Sequence, residues 1–467
     1  MHSTRFILSF VGIILTYLFT ACSEEKSVKS TENSFLAFIE NKPSTLISGK
    51  IQITDFLEDL DYKQIPKVNT ILKNEITQLN KGIDLQSPIF YSVDSLLQPD
   101  GKPSIIYVFA TVKNKDSLAD KLSSLGLLVI PNKQLTTAKG TNFCVGLDEH
   151  LAVFQFGEKA SENQIIESFK LAKLQEKDNI FHQILKKSSA LQVNLHLENM
   201  QQMMDKQLLD RNISKEKELL SLYKNAYITS NFNFLSGSLH ADIDFRFPTN
   251  LKKRLFFENT RSNEIKQLAS SMNNVAGVSF NVNPVKLESF LTDYYPNLLT
   301  NVTRNNFTLQ LALFSLGNKP ISSITNGKAG VTIQHNKNHL KPRFYLGLGS
   351  KKELITPFIE PTINELQKMS FYTTISKSQP AKERNSFFAK HFGQSGLSFF
   401  VEPNKIPVTQ RSIDDKYKFL DAIHYISFEL TNNGGKLIIQ GKNNKKGVLN
   451  QIAMVYVESL ISLFKNT

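Results

Sequence analysis

Apolar and polar residues alternate cleanly in two stretches of this chain. In Leu191-Gln192-Val193-Asn194-Leu195-His196-Leu197 the odd positions are apolar and the even ones polar. His240-Ala241-Asp242-Ile243-Asp244-Phe245-Arg246-Phe247 follows the same rule, starting from a polar residue. A period of two sends successive side chains to opposite faces of a strand. Both stretches therefore predict antiparallel strands with the apolar face buried and the polar face in water. Ser236-Gly237-Ser238 predicts a turn between Tyr227–Leu235 and Leu239–Phe247. Further strands are predicted at Ile89–Val93, Ile105–Val112, Asn142–Leu147, Leu151–Phe156, Val278–Val282, Thr308–Leu316 and Leu397–Val401. Asn432-Asn433-Gly434-Gly435 marks a hairpin between His424–Leu430 and Lys436–Gln440. The apolar run Phe35-Leu36-Ala37-Phe38-Ile39 reads as one more buried strand.

Elsewhere the apolar spacing is three and four. Ile65, Val68, Leu72, Ile76 and Leu79 predict a helix ended by Gly82, and Leu118, Leu122 and Leu125 another ended by Gly126. Ile165, Phe169 and Ala172 predict a third helix, and Ile452, Val455, Tyr456, Leu460 and Leu463 an amphipathic one near the end of the sequence. The fold class that follows is α+β: several serial units of antiparallel sheet with covering helices. Phe38 to Pro43, His196 to Asn199, Asn281 to Pro284 and Phe400 to Pro403 each run from an apolar stretch into Asn or Pro, good helix starters. The order of strand, helix and strand meander is thus expected about four times, too irregularly spaced for a solenoid.

The first residues have a different pattern. His2 and Arg5 precede an apolar run from Phe6 to Phe19, which is shorter than the ~20 residues a spanning helix needs. Thr20-Ala21-Cys22 follows, completing the order of a secretory signal. A cysteine at that point resembles the lipobox of bacterial lipoproteins, with Phe19 where that family usually has Leu. The resemblance implies cleavage before Cys22, a diacylglycerol on its thiol, and a membrane anchor. Ser23-Glu24-Glu25 resembles the export signal of Bacteroidota surface lipoproteins, which implies the outer membrane and its outer face. Gly82-Ile83-Asp84 ahead of a Ser87-Pro88 strand, together with the serial units, resembles an uncharacterised domain-of-unknown-function family of Bacteroidota lipoproteins. That resemblance implies location and architecture and carries no assigned activity. The expected organisation is a signal peptide at 1–21, a flexible tether at 22–33, and α+β units at 34–187, 188–270, 271–390 and a C-terminal one at 391–467.

Composition narrows the partners. The formal charge is +13, but it is spread out, with small clusters at Lys252-Lys253-Arg254 and at Lys442, Lys445 and Lys446. No basic stripe is interleaved with aromatics, so nucleic acid is not an expected partner. There is no Trp against 34 Phe, which favours filled cores over flat sugar-binding platforms. With Cys22 acylated, Cys144 has no partner, and within Phe143-Cys144-Val145 it reads as a buried, inert thiol.

No phosphate loop, His-Glu-x-x-His pair, nucleophile elbow or Cys-x-x-Cys is present, and Gly393-Gln394-Ser395-Gly396 reads as a turn. Three weak candidates remain for acid–base chemistry: His240, Asp242 and Asp244 share one strand face, the carboxylates ~6–7 Å apart, near the spacing of glycosidase pairs. A solvated strand face is the favoured reading, because alternation alone accounts for each of them. His335 and His339 have a metal-ligand spacing if helical, yet they sit in a polar stretch read as a turn between strands. The expectation is a non-enzymatic envelope lipoprotein with a binding or scaffold role and no cofactor. Its partners would be the membrane, through lipid on Cys22, and an envelope protein, glycan or lipid. The alternatives are a carrier of lipid or another apolar ligand, and a hydrolase using His240, Asp242 and Asp244.

Overall fold

The computed structural model describes residues 28–42, 44–65, 68–94, 104–132, 134–174, 180–204, 215–258, 263–270, 273–296, 315–317, 319–336, 339–350, 353, 387–406 and 415–465. The fold is α+β, and its 16 described strands all pair antiparallel. They fall in two compact units: one holds the residues up to Met200 with Tyr227–Leu235 and those from Leu460 on, the other Gln201–Ala226 and Ser236–Ser459.

The first unit contains β1 (Thr45–Ile51), β2 (Ile89–Asp94), β3 (Ile106–Thr111), β4 (Leu128–Ile130), β5 (Thr136–Lys139), β6 (Phe143–Leu147), β7 (Leu151–Phe156), β8 (Leu191–His196) and β9 (Tyr227–Leu235). Their order across the sheet is β9-β8-β1-β2-β3-β7-β6-β5-β4. The helices are α1 (Val28–Asn41), α2 (Ile53–Leu60), α3 (Val68–Gly82), α4 (Lys115–Ser124), α5 (Glu162–Ala172) and α6 (Ile180–Leu185), with α7 (Leu197–Met204) leaving the end of β8. Both faces of the central strands are covered. Ile89, Tyr91, Ile106, Val108 and Ala110 face a core with Ile53, Ile76, Leu118 and Leu122 of α2, α3 and α4. Phe90, Tyr107 and Phe109 face a second core with Phe35, Phe38, Ile165 and Ile184 of α1, α5 and α6. Burial on both faces is why β2 and β3 read as nearly continuous apolar runs.

Phe35 to Ile39 lies inside α1, correcting the strand read there. A short apolar run does not distinguish a buried strand from a buried helix. Phe35, Phe38 and Ile39 have the spacing of one helical face, and the aromatic side of β2 and β3 supplies what they pack against. Phe35 stacks on Phe90 at 5.2 Å between centroids, and Phe38 meets Tyr107 at 5.0 Å and Phe109 at 4.8 Å. Residues 28–33, expected within the tether over 22–33, instead form the first turns of α1, and Thr31 is buried with its hydroxyl 2.8 Å from that of Thr111.

The second unit contains β10 (Ser238–Arg246), β11 (Asn274–Asn281), β12 (Thr325–Asn336), β13 (His339–Leu348), β14 (Leu397–Val401), β15 (Ile423–Thr431) and β16 (Gly434–Gly441). The order is β13-β12-β11-β14-β15-β16-β10. Its helices are α8 (Glu216–Tyr223), α9 (Thr249–Arg254), α10 (Asn263–Ala269), α11 (Pro284–Tyr294), α12 (Pro320–Ile324), α13 (Phe387–His391) and, as far as Ser459, α14 (Val448–Lys465). The strand expected at Thr308–Leu316 lies almost wholly outside the described residues.

One order of elements recurs. β1, β8, β11 and β14 are each followed by a helix or 3-10 turn, at Ile53, Leu197, Pro284 and Pro403, and then by two strands. Within the units these leading strands pair with each other, β1 with β8 and β11 with β14. Asn283 caps α11 by accepting from the Lys286 amide at 3.0 Å, with Pro284 in the first turn. The leading strands start at Thr45, Leu191, Asn274 and Leu397. The last three starts fall shortly after the sequence boundaries 188, 271 and 391. The first falls later than 34, because α1 precedes it.

Candidate functional site

The alternation in β8 is real, but its polar side faces inward. Gln192 and Asn194 are 0% exposed and His196 7%, whereas Leu191, Val193 and Leu195 are only half-buried. The register carries this polarity across four strands. Ser92, Ser48, Asn194 and Thr229 form one row, and Lys50, Gln192 and Asn231 lie in the next. The expected wet face is therefore a buried polar ladder.

Helix α6 explains the reversal. Phe181 stacks on the His196 ring at 5.3 Å, and Tyr227 meets that ring edge-on at 5.2 Å. The Gln192 amide donates to the Ile184 carbonyl at 2.8 Å and to the Asn231 side chain at 2.7 Å. Lys50 Nζ donates to the Leu185 carbonyl at 2.5 Å. Burial holds the Lys50 ammonium below its usual range, partly opposed by the Glu32 carboxylate of α1. Glu32 also lies 3.9 Å from His182 Nδ1.

Ser48 Oγ is 3.0 Å from His196 Nε2, within reach of a nucleophile–base pair. Burial pushes the His196 pKa down to about 4. Ser48 is itself fully buried, and the imidazole is packed between Phe181 and Tyr227. That geometry serves internal hydrogen bonding better than attack on a substrate.

Gln192 Oε1, both ends of the Asn194 amide and Thr229 Oγ1 have no hydrogen-bond partner among the described residues. A buried polar group left unpaired costs about 1–3 kcal/mol. Asn194→Leu, with the same branched arrangement of heavy atoms, is therefore expected to raise stability by about 1–3 kcal/mol in urea unfolding. A loss of stability instead would mean that the amide is satisfied by bound water or a ligand.

The second unit fills the equivalent place with rings. Ser279 and Ser398 share a hydroxyl contact of 2.6 Å between β11 and β14. Gly277 lies one row over, where a Cβ would stand 2.7 Å from Phe392 and 2.9 Å from Phe388. Phe388 packs edge-on against Phe400 at 5.0 Å, and Phe400 stacks on Tyr425 at 5.7 Å. The opposite face of this sheet is apolar and partly open. Phe280, Phe399, Leu346 and Leu348 lie on it, at 45%, 37%, 46% and 42% exposure.

The sequence candidates are scattered. His240, Asp242 and Asp244 lie on β10 opposite Ile438, Lys436 and Gly434 of β16. Partial burial lowers the His240 pKa, reinforced by Lys436 and opposed by Asp242. Asp242 is exposed and faces a lysine across the strands, as on any solvated sheet face. His335 is at the end of β12 and His339 at the start of β13, with His335 registered to Leu340 and Asn336 to His339. The helical spacing that could make them joint metal ligands is thus replaced by strand pairing. Among the described residues no three His, Cys, Asp or Glu side chains gather as a metal-ligand set. Cys22 lies outside the described residues. Cys144 is buried in β6, where burial pushes its thiol pKa up.

Sequence reading missed a further cluster. Lys42 Nζ is 3.0 Å from the Tyr107 hydroxyl, 3.5 Å from Asp94 and 4.5 Å from the centre of the Tyr107 ring. The three residues come from α1's end, β2 and β3, and no local pattern links them.

No protein-family model matches the chain, and no curated protein matches it. Among solved structures it is similar to TP0453. For crystal form III the identity is 8% and the TM-score 0.30, covering 47% of this chain and 83% of that one. For crystal form I they are 7% and 0.29, covering 47% and 82%.

Proposed function

We propose that the chain is a lipid-anchored lipoprotein of the bacterial cell envelope whose role is binding or scaffolding, not turnover. The observation that carries the non-enzymatic reading is the inverted sheet. Ser48 and His196, the nucleophile–base pair within hydrogen-bond reach, are buried with Gln192 and Asn194 on the side of the sheet that α6 covers. The partly open face of the second unit instead presents Phe280, Phe399, Leu346 and Leu348, which suits an apolar partner surface. The Thr20-Ala21-Cys22 sequence after an apolar run supports the anchor. The same apolar face supports a second reading, carriage of an acyl chain or another apolar ligand.

Native mass spectrometry of the full chain, extracted from its envelope in detergent, tests both. The binding reading expects an acylated chain that begins at Cys22. A retained lipid mass, lost in a Phe280→Ser/Phe399→Ser variant, selects carriage; a bare acylated chain selects scaffolding through a protein partner. A hydrolytic activity abolished by Asp242→Asn and Asp244→Asn would overturn the non-enzymatic reading.

A further inference from the structure

The geometry points to a membrane-facing end of the first unit, an inference that rests on the anchor at Cys22. Helix α1 begins at Val28, and six peptide steps from Cys22 span at most ~22 Å even when fully extended. The helix is fixed to the sheet, because Phe35, Leu36, Phe38 and Ile39 are almost completely buried. Its direction is fixed as well. Thr31, in the first turns, meets Thr111 at the end of β3. Lys42, just past the last turn, meets Tyr107 and Asp94 at the other end of the strands. The anchored end of α1 therefore lies at the Thr111 end of the sheet.

The register shows what else is there. Thr111 pairs with Leu151, and Ile51 with both Ile89 and Leu191. The segments leaving the sheet at this end carry exposed Lys113, His150, Lys186 and Lys187. Lys115 is bound to Glu149 at 3.2 Å, with Asp148 and Asp116 alongside. The Leu185 carbonyl at the end of α6 is tied to Lys50, and the Gln52 amide donates to the Ala190 carbonyl at 2.7 Å. Those two bonds hold the Lys186-Lys187 loop against the same end. At the opposite end the Gly157 amide donates to the Asn142 carbonyl at 3.0 Å, and Asn142, Glu158 and Lys159 are exposed.

The Thr111 end accordingly faces the bilayer. The partner surface is the phospholipid bilayer that holds the Cys22 anchor.

Energy transfer from single labelled sites to the membrane tests this. The acylated full chain is reconstituted in phosphatidylcholine–phosphatidylglycerol vesicles with an acceptor on the headgroups. Donors are placed on Lys186→Cys or, at the opposite end, Asn142→Cys; the buried Cys144 leaves each label site-specific. Transfer from position 186 is expected to be several-fold more efficient than from 142. Equal or reversed efficiencies on an acylated chain would overturn the orientation. The intact mass of the same preparation separates the two failures, because an unacylated Cys22 overturns the anchor reading itself.

Discussion

Gly49→Ala is expected to destabilise the first unit by about 3 kcal/mol or more. Gly49 sits in the middle of β1, registered to Val193 on one side and Tyr91 on the other. A Cβ there would stand 1.9 Å from the Gln192 carbonyl oxygen and 2.7 Å from the Tyr91 hydroxyl. Neither neighbour can move freely. The carbonyl belongs to β8, and the buried Tyr91 hydroxyl donates to it at 2.8 Å. The methyl must push the two leading strands apart, and the pairing of Lys50 with Gln192 goes with them. Overpacking alone costs about 1–3 kcal/mol, and the loosened hydrogen bonds add to it. Urea unfolding followed by circular dichroism measures the effect; a loss under about 1 kcal/mol would mean that the strands part more easily than this packing allows.

Acid is expected to remove about 3 kcal/mol through His196 alone. Its pKa falls from 6.5 in the unfolded chain to about 4 in the folded one, because burial penalises the charged ring. Between those values the unfolded state binds more protons than the native state, so stability rises with pH across the window. The contribution is fully present above pH 6.5 and lost as pH falls through about 4. A shift of that size corresponds to about 3 kcal/mol. Other groups also titrate in acid, so the informative measurement is the difference between wild type and His196→Gln, which keeps a polar partner for Ser48 and does not titrate. The variant should show a shallower dependence of unfolding free energy on pH between 6.5 and 4; parallel curves would mean that His196 binds its proton as readily in the fold as in the unfolded chain.

Both outcomes depend on a feature only partly legible in the sequence. The two-residue period of Leu191–Leu197 announced a strand, and the structure has one. Its buried side was not legible, because the period says which residues share a face and not which face is covered. That was decided by α6, which precedes β8 in the chain and folds back over its polar side, Phe181 on His196 and the Ile184 carbonyl on Gln192. The same limit applied to Phe35–Ile39. Its five apolar residues fit a strand or a helix, and the aromatic face of β2 and β3 selected the helix. For His335 and His339 the spacing was compatible with a metal pair, and hairpin register removed the helix that would have made it one.

The sequence by itself determined the α+β class, most strand positions in both units, the Asn283–Pro284 helix start and the burial of Cys144. These follow from local periodicity, turn chemistry and capping, which act over a few residues. Only the tertiary structure decided that β1 pairs with β8 and β11 with β14, that a polar ladder lies under α6, and that Lys42 meets Asp94 and Tyr107. The strand pairings and the Lys42 contacts join residues tens to more than a hundred positions apart, and the ladder needs α6 folded back over the strand that follows it. Their energy comes from packing one element's face against another's, a quantity that no single stretch of the chain contains.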